Sequence, residues 1–229
     1  MSKNTVVVTD VHREYQQGDF VVKALQGVSL SIEPGEFTVL MGASGSGKTT
    51  LLNIIGGLDS PSTGSVQIDG QELASMAAND LSDLRLHKLG FVFQAYNLIP
   101  VLTAFENTEF VPLMQGVGVE ERRTRSMEML QSVGLGGMEH RLPSELSGGQ
   151  QQRVAVARAL AGNPMLILAD EPTANLDSKT GKELIALMRS LNEEKGVTFI
   201  FATHDPKVME AAKRIIHLED GKIIEDERR

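Results

Sequence analysis

Gly42-Ala43-Ser44-Gly45-Ser46-Gly47-Lys48-Thr49 is a glycine-rich run that closes on a lysine and a hydroxyl, with Thr50 and a helical pattern directly after it. Those residue types at that spacing suit the phosphates of a nucleoside triphosphate. Glycines let backbone N–H groups turn inward, and a helix N-terminus adds positive potential. Lys48 can neutralise the β and γ oxygens, and the Thr49 hydroxyl can ligate Mg²⁺. A second run, Leu166-Ile167-Leu168-Ala169-Asp170-Glu171, is an apolar strand that ends in two carboxylates. Acids at the end of a buried strand need a cation or hydrogen-bond donors to compensate them. Asp170 is therefore placed to hold Mg²⁺ and Glu171 to polarise an attacking water as general base. A third run, Leu146-Ser147-Gly148-Gly149-Gln150, precedes a helical pattern through Leu160. Ser147 and the two glycines cap that helix and expose backbone donors at its positive end, a second anion site in one chain.

The elements that must position these groups alternate between two textures. Short β-branched runs at Thr5 to Val8, Phe20 to Val22, Val28 to Ile32 and Phe37 to Met41 read as strands separated by Gly and Pro, and a helix follows at about 48 to 57. Ser65 to Asp69 alternates in period two as a half-buried strand, and Leu89 to Phe93 reads as a fully buried one. From about 95 to 162 the spacing becomes helical, with a charged face at Glu120 to Arg123 and breaks at Pro100, Pro112, Gly116 and Pro143. Strands return at Met165 to Ala169, Val197 to Ala202, Ile215 to Leu218 and Lys222 to Ile224, with a helix at 179 to 194 that gathers Leu184, Ile185, Leu187, Met188 and Leu191 on one face. Alternating strands and helices imply a largely parallel sheet covered on both faces. The expectation is one domain over 1–229, with an α/β core from 1–94 and 163–229 and a helical subdomain inserted at about 95–162.

Composition removes several function classes. A chain of 229 residues that is 41% hydrophobic and 23% charged can bury a globular core. Its net charge of -8 argues against a nucleic-acid partner and against attraction to anionic lipid, so a membrane link should run through a protein. No 18-residue apolar stretch and no secretion signal is legible, and cysteine is absent, which makes a cytoplasmic location without membrane insertion the expectation.

With these runs in this order, the sequence resembles the ATP-binding subunits of ABC transporters, whose signature is LSGGQ upstream of the acidic strand. The resemblance covers about Val6 to Ile224 and implies a P-loop NTPase (RecA-like) α/β core, an N-terminal antiparallel β region and an inserted α-helical subdomain. It implies ATP and Mg²⁺ as ligands, with Thr49, Asp170 and the Q-loop residue Gln94 around the metal. His204 matches the switch histidine that touches the γ-phosphate and orients the catalytic water. Lys48, Glu171 and His204 are thus the expected catalytic set. Ala174-Asn175-Leu176-Asp177 matches the D-loop. Tyr15 resembles the aromatic residue that stacks on adenine, with Val22 flanking the base. His12, His87, His140 and His217 fit no motif.

The same resemblance implies a head-to-tail dimer in which Leu146 to Gln150 of one copy faces the phosphate loop of the other. It also implies an integral membrane permease that contacts Tyr96 to Leu102. Leu98, Ile99, Val101 and Leu102 either receive a permease helix or fill the subdomain's own core. The stretches NIIGGLDSPSTGSVQIDGQ and PSELSGGQQQRVAVARALAGNPMLILADEPTANLDS look like the group of lipoprotein-release, macrolide-export and cell-division ATPases. An exporter is expected on that resemblance, with a regulatory subunit of a division-type membrane complex as the alternative. A non-transport ABC ATPase would carry a long coiled coil or a zinc insertion between the motifs, and a nucleoside kinase would lack LSGGQ.

Overall fold

The computed structural model describes residues 4–18 and 20–229. The chain runs through β1 (Val6–Gln17), β2 (Phe20–Ile32), β3 (Phe37–Met41), α1 (Lys48–Ile55), β4 (Thr63–Ile68), β5 (Gln71–Glu72), α2 (Ala78–Lys88), β6 (Leu89–Val92), α3 (Ala104–Met114), α4 (Val119–Ser132) and α5 (Gly148–Ala161). It continues through β7 (Leu166–Asp170), α6 (Ser178–Lys195), β8 (Thr198–Thr203), α7 (Pro206–Ala211), β9 (Arg214–Glu219) and β10 (Lys222–Arg228).

Two sheets result. A six-stranded sheet has the order β10-β9-β3-β8-β7-β6, parallel throughout except for β10 on its edge. A four-stranded antiparallel sheet has the order β2-β1-β4-β5. Successive strand residues point to opposite faces, so each central strand feeds two cores. Ile167, Ala169, Phe199 and Phe201 join one cluster with the helical face of α5 and α6. Leu166, Leu168, Ile200 and Ala202 join another with α1 and the antiparallel sheet. This two-sided burial explains why these strands read as unbroken apolar runs.

Two expectations are corrected, and one helix was not foreseen. Phe20 to Val22 and Val28 to Ile32 are parts of one strand, β2, and β1 continues well past Val8 to Gln17. Register shifts after Val8, Val11 and Arg13 absorb the irregularity, so the polar outer half of the hairpin pairs without an alternating pattern. Helix α2 escapes the sequence reading because it buries only Leu84 and carries little apolar periodicity. Helix α6 packs as expected, with Leu184, Ile185, Met188 and Leu191 buried.

Candidate active site

The parallel strands β3, β7 and β8 deliver their C-terminal ends to one rim, where the loops that follow them meet. A cavity of about 430 Å³ opens there, lined by Val22, Ser44, Gly45, Gly47, Lys48, Thr49, Thr50, Gln94, Glu171, Ala174 and His204 among others. Gly42, Ala43 and Ser46 lie on the other side of the phosphate loop, where they line a second depression with His204 and His217. The loop is locked against the rest of the molecule. Gly47 has φ +103°, and a Cβ there would stand 2.6 Å from the Ala24 carbonyl oxygen, so no other residue fits.

Lys48 is buried, and its ammonium donates to the carbonyls of Gly42 at 2.6 Å and Ala43 at 2.9 Å. An ammonium has three donors, so one is left for a phosphate oxygen. The Thr49 hydroxyl donates to Asp170 Oδ1 at 3.1 Å, which joins the loop to the end of β7. Burial pushes the Asp170 carboxyl above its ordinary range and the charge of Glu171 adds to this, against the Thr49 hydrogen bond and the charge of Lys48. A crowded carboxylate beside a hydroxyl fits a divalent cation. Among the described residues no cluster of three His, Cys, Asp or Glu could hold a metal alone. That pattern suits Mg²⁺, which keeps waters and takes phosphate oxygens with only one or two protein ligands.

Glu171 follows with φ 45°, a left-handed conformation uncommon outside glycine, and its N–H donates to the Ala202 carbonyl at 2.9 Å. Its Oε2 accepts from the Thr203 hydroxyl at 2.8 Å and its Oε1 is 2.7 Å from His204 Nδ1. Glu171 is mostly covered, with a side chain 17% exposed, whereas His204 is 74% exposed. The carboxylate is thus held from two sides at the wall of the cavity while the imidazole keeps Nε2 toward the open side. Asp205 extends the scaffold, since its N–H donates to Thr203 Oγ1 at 3.0 Å and its Oδ2 accepts from Thr173 Oγ1 at 2.7 Å.

Ser147 is the N-cap of α5. Its Oγ accepts from the Gln150 N–H at 3.3 Å and Gln150 Oε1 accepts from the Ser147 N–H at 2.9 Å, a closed capping box. A Cβ on Gly149 would stand 2.4 Å from Thr180 Cγ2, so this glycine lets α5 meet α6.

A match to the family model described as ABC transporter covers residues 25–174. The chain belongs to the ABC transporter family. It is 48% identical over 227 residues to an uncharacterized ABC transporter ATP-binding protein of Thermotoga maritima, covering 99% of this chain and 97% of that one. It is 47% identical over 220 residues to the macrolide export ATP-binding/permease protein MacB of Syntrophobacter fumaroxidans, covering 95% of this chain but only 31% of that longer protein. Among solved structures it is similar to the dimeric post-hydrolysis state of the ATP-binding cassette MJ0796 bound to ADP and Pi, with a TM-score of 0.90, 47% identity, and 97% and 98% of the two chains covered. The chain is an ABC ATPase, the ATP-binding subunit of a transporter.

Within this cassette, not every expected residue reaches the cavity. Leu146 to Gln150 do not line it, nor do Asn175, Leu176 and Asp177. Asn175 Nδ2 donates to the Gln94 carbonyl at 2.9 Å, and Asp177 caps α6 through the Lys179 and Thr180 N–H groups at 3.0 and 3.1 Å. Leu176 packs on the core. Tyr15 is also absent from the lining, but it is the cross-strand partner of Val22, which is present.

The sequence reading passed over the residues that hold the Q-loop. Tyr96 and Asn97 have φ 59° and 49°, and Arg158 from α5 donates to their carbonyls at 3.0 and 2.5 Å. Gln152 Nε2, one helical face away, is 3.4 Å from the Phe93 carbonyl. Thr203 was likewise given no role. An Arg within an apolar helix pattern and a hydroxyl just before the switch histidine were the available signals.

Proposed function

We propose that this cassette powers an exporter-type ABC transporter, for lipoprotein release, macrolides, peptides or similar cargo, as one of two identical copies arranged head to tail. The observation that carries the reading is the signature helix. Its N-terminus is closed by a capping box and suits an anion, yet Ser147 to Gln150 take no part in their own chain's cavity. A second copy that offers its α5 N-terminus to the γ-phosphate supplies what each cavity lacks. The dimeric MJ0796 cassettes support that arrangement.

In this reading ATP lies along the phosphate loop, with adenine against Tyr15 and Val22 and the γ-phosphate beside Lys48. Thr49, Asp170 and Gln94 would hold Mg²⁺, which would supply charge neutralisation to the phosphates. Glu171 takes a proton from the attacking water, and His204 fixes the carboxylate and faces the γ-phosphate. Loss of that phosphate removes the charge that holds the partner's helix, and the dimer opens.

The movement passes to an integral membrane permease through a groove of about 390 Å³ that includes Leu58, Phe91, Phe93, Asn97, Ile99, Phe110 and Arg158. The apolar cluster after the Q-loop divides between the two roles foreseen for it. Leu98 packs against the core, Ile99 faces the groove, and Val101 is 78% exposed. Arg158 joins groove, Q-loop and signature helix in one side chain. Among the described residues no helix is long and apolar enough to cross a membrane; in this reading the cassette sits on the cytoplasmic face of the inner membrane through its permease. The macrolide exporter relatives, whose names join ATP-binding and permease parts, support the export direction.

Co-purification of the chain from membranes of its source tests this. The bound protein is expected to be a permease of few transmembrane helices with a periplasmic domain. An importer permease or a cell-wall regulatory complex would overturn the export reading. Asn97→Glu is expected to abolish the association while the isolated chain still hydrolyses ATP.

A further inference from the structure

The adenine subsite and the phosphate subsite lie on different sheets. Tyr15 sits in β1 of the antiparallel sheet, whereas Lys48 and Thr49 start α1 beneath the phosphate loop. One side chain spans the gap between them. Asp59 follows the C-terminal end of α1, where the Leu58 and Asp59 N–H groups donate to the Asn53 carbonyl at 2.8 and 3.3 Å. Its carboxylate accepts the Tyr15 hydroxyl at 2.6 Å, Arg13 Nε at 3.0 Å, Arg13 Nη2 at 2.7 Å and the Ser60 N–H at 2.8 Å. The Arg13 guanidinium in turn lies 4.5 Å from the centroid of the Tyr15 ring.

We propose that Asp59 is a positioning residue for the nucleotide base, which holds the edge of Tyr15 and the cation on one of its faces so that the opposite face is preset to stack on adenine. This rests on the reading of Tyr15 as the adenine contact. A phenol on a sheet surface has two free torsions, and fixing its hydroxyl removes most of that freedom before the ligand arrives. Arg13 covers one ring face, so a flat ligand has one side to choose. Tyr15 keeps 37% of its surface exposed, so the ring is not fully covered by its own chain. Burial works against the Asp59 charge, but hydrogen bonds from Tyr15, Ser60 and Arg13 hold its carboxyl below the ordinary value, so the brace stays an anion at neutral pH. Because Asp59 hangs from α1, the base platform is set at a fixed distance from the phosphate loop.

The chain has two tyrosines and no tryptophan, so a Tyr96→Phe background leaves Tyr15 as its sole tyrosine emitter. Quenching of that emission reports stacking directly. In this background MgATP binding to Asp59→Ala is followed by that emission, while competition with a labelled nucleotide measures inorganic triphosphate throughout and both ligands in Tyr15→Phe and Tyr15→Ala, which retain no tyrosine. Tyr15→Ala is expected to weaken MgATP about tenfold, the scale of one lost base–aromatic stack. Asp59→Ala is expected to weaken it about fivefold, with inorganic triphosphate binding and kcat unchanged. Tyr15→Phe, which deletes only the hydroxyl, should show the same selectivity for MgATP and guards against a misfolded Asp59 variant. If Asp59→Ala and Tyr15→Phe both bind MgATP normally while Tyr15→Ala does not, the brace is wrong and the adenine reading stands. If Tyr15→Ala also binds normally, the adenine reading itself fails. Equal loss of MgATP and inorganic triphosphate in Asp59→Ala would make Asp59 a support of α1 only, and would overturn the proposal.

Discussion

The proposed function gives the rim of the parallel sheet and the N-terminus of α5 the same partner, phosphate, but the two regions are built in opposite ways. At the rim, Lys48, Thr49, Asp170, Glu171 and His204 gather at the C-terminal ends of β3, β7 and β8; Thr49 bonds Asp170 at 3.1 Å, His204 meets Glu171 at 2.7 Å, and Lys48 is held by the Gly42 and Ala43 carbonyls. The carboxyl of Asp170 is pushed up by burial and further by the charge of Glu171, and the Glu171 backbone is held in a left-handed conformation. At α5 there is no charge cluster, only a capping box of Ser147 and Gln150 that satisfies itself. One region stores electrostatic cost that a ligand relieves, and the other is stable without any ligand. In the proposed dimer a site assembled from both needs a bound nucleotide to bring them together, which would make ATP the condition for closure.

The largest expected effects break this pair apart. Glu171→Gln keeps the shape and the acceptor for Thr203 but removes the base, so ATP hydrolysis should fall about a hundredfold or more while ATP binding persists and dimer accumulates in light scattering. Ser147→Arg blocks the α5 end with a cation and should cost about tenfold or more in steady-state turnover, with ATP binding to the single chain unchanged. Mixing the two variants is the sharper measurement. In a head-to-tail dimer one site then pairs an intact Glu171 with an intact Ser147, and turnover should recover to about a quarter of the wild-type value. Absence of recovery would mean that both residues serve the same chain's site.

Much of the rim was legible because its chemistry is local in sequence. GASGSGKT and LILADE each place their functional atoms within a few residues at the end of an apolar strand, and strand period fixes the direction they point. The separation of the α5 end from the cavity was not read from spacing, since the family resemblance carried it. The supports were lost for a different reason. Thr203, Arg158, Gln152 and Asp59 act on groups between 32 and 62 residues away in the chain. A long-range side-chain contact, to backbone or to another side chain, leaves no periodic trace. Helix α2 and the part of β1 beyond Val8 left no clear trace because both are mostly solvated, and apolar periodicity is the only strong local signal.

Thr203→Val is the next smaller test, directed at the rim alone. The substitution keeps the buried β-branched shape but deletes the hydroxyl that donates to Glu171 and accepts from the Asp205 N–H. Loss of one such hydrogen bond is expected to cost about 1 kcal/mol of stability. Catalysis should fall about tenfold in kcat with little change in KM, because orientation of the base matters in the transition state and not in ATP binding. An equal fall for the Ser147→Arg background would indicate damage beyond the rim, since that variant has already lost the closed site.

The smallest expected effect concerns the wall behind His204. Asp205 caps α7 through the Lys207 N–H at 3.0 Å and accepts the Thr173 hydroxyl at 2.7 Å, which ties the switch loop to the segment before the D-loop. Burial raises its carboxyl, but the hydrogen bonds from Thr173 and Lys207 and the nearby charges of Lys207 and His204 outweigh that and leave it below the ordinary value. A carboxyl whose folded value is depressed contributes stability that is present above its unfolded value, near 3.8, and is lost as pH falls through the folded value. Asp205→Ala should therefore lower Tm by roughly 2–8 °C at neutral pH, the scale of a lost cap and hydrogen bond in a domain of this size. The gap between wild type and variant should stay constant down to about pH 5 and narrow below 3.8 as the wild-type carboxylate takes up its proton. Asp177→Ala provides the matching measurement beside the α5 end, since Asp177 caps α6 at the helix that Gly149 packs against, and its carboxyl is also held low, chiefly by the Thr180 hydroxyl. If the rim is the strained region and the α5 end the self-satisfied one, MgATP should restore Tm in Asp205→Ala more fully than in Asp177→Ala when dimer formation is blocked by Ser147→Arg. Equal restoration would erase the distinction between the two regions.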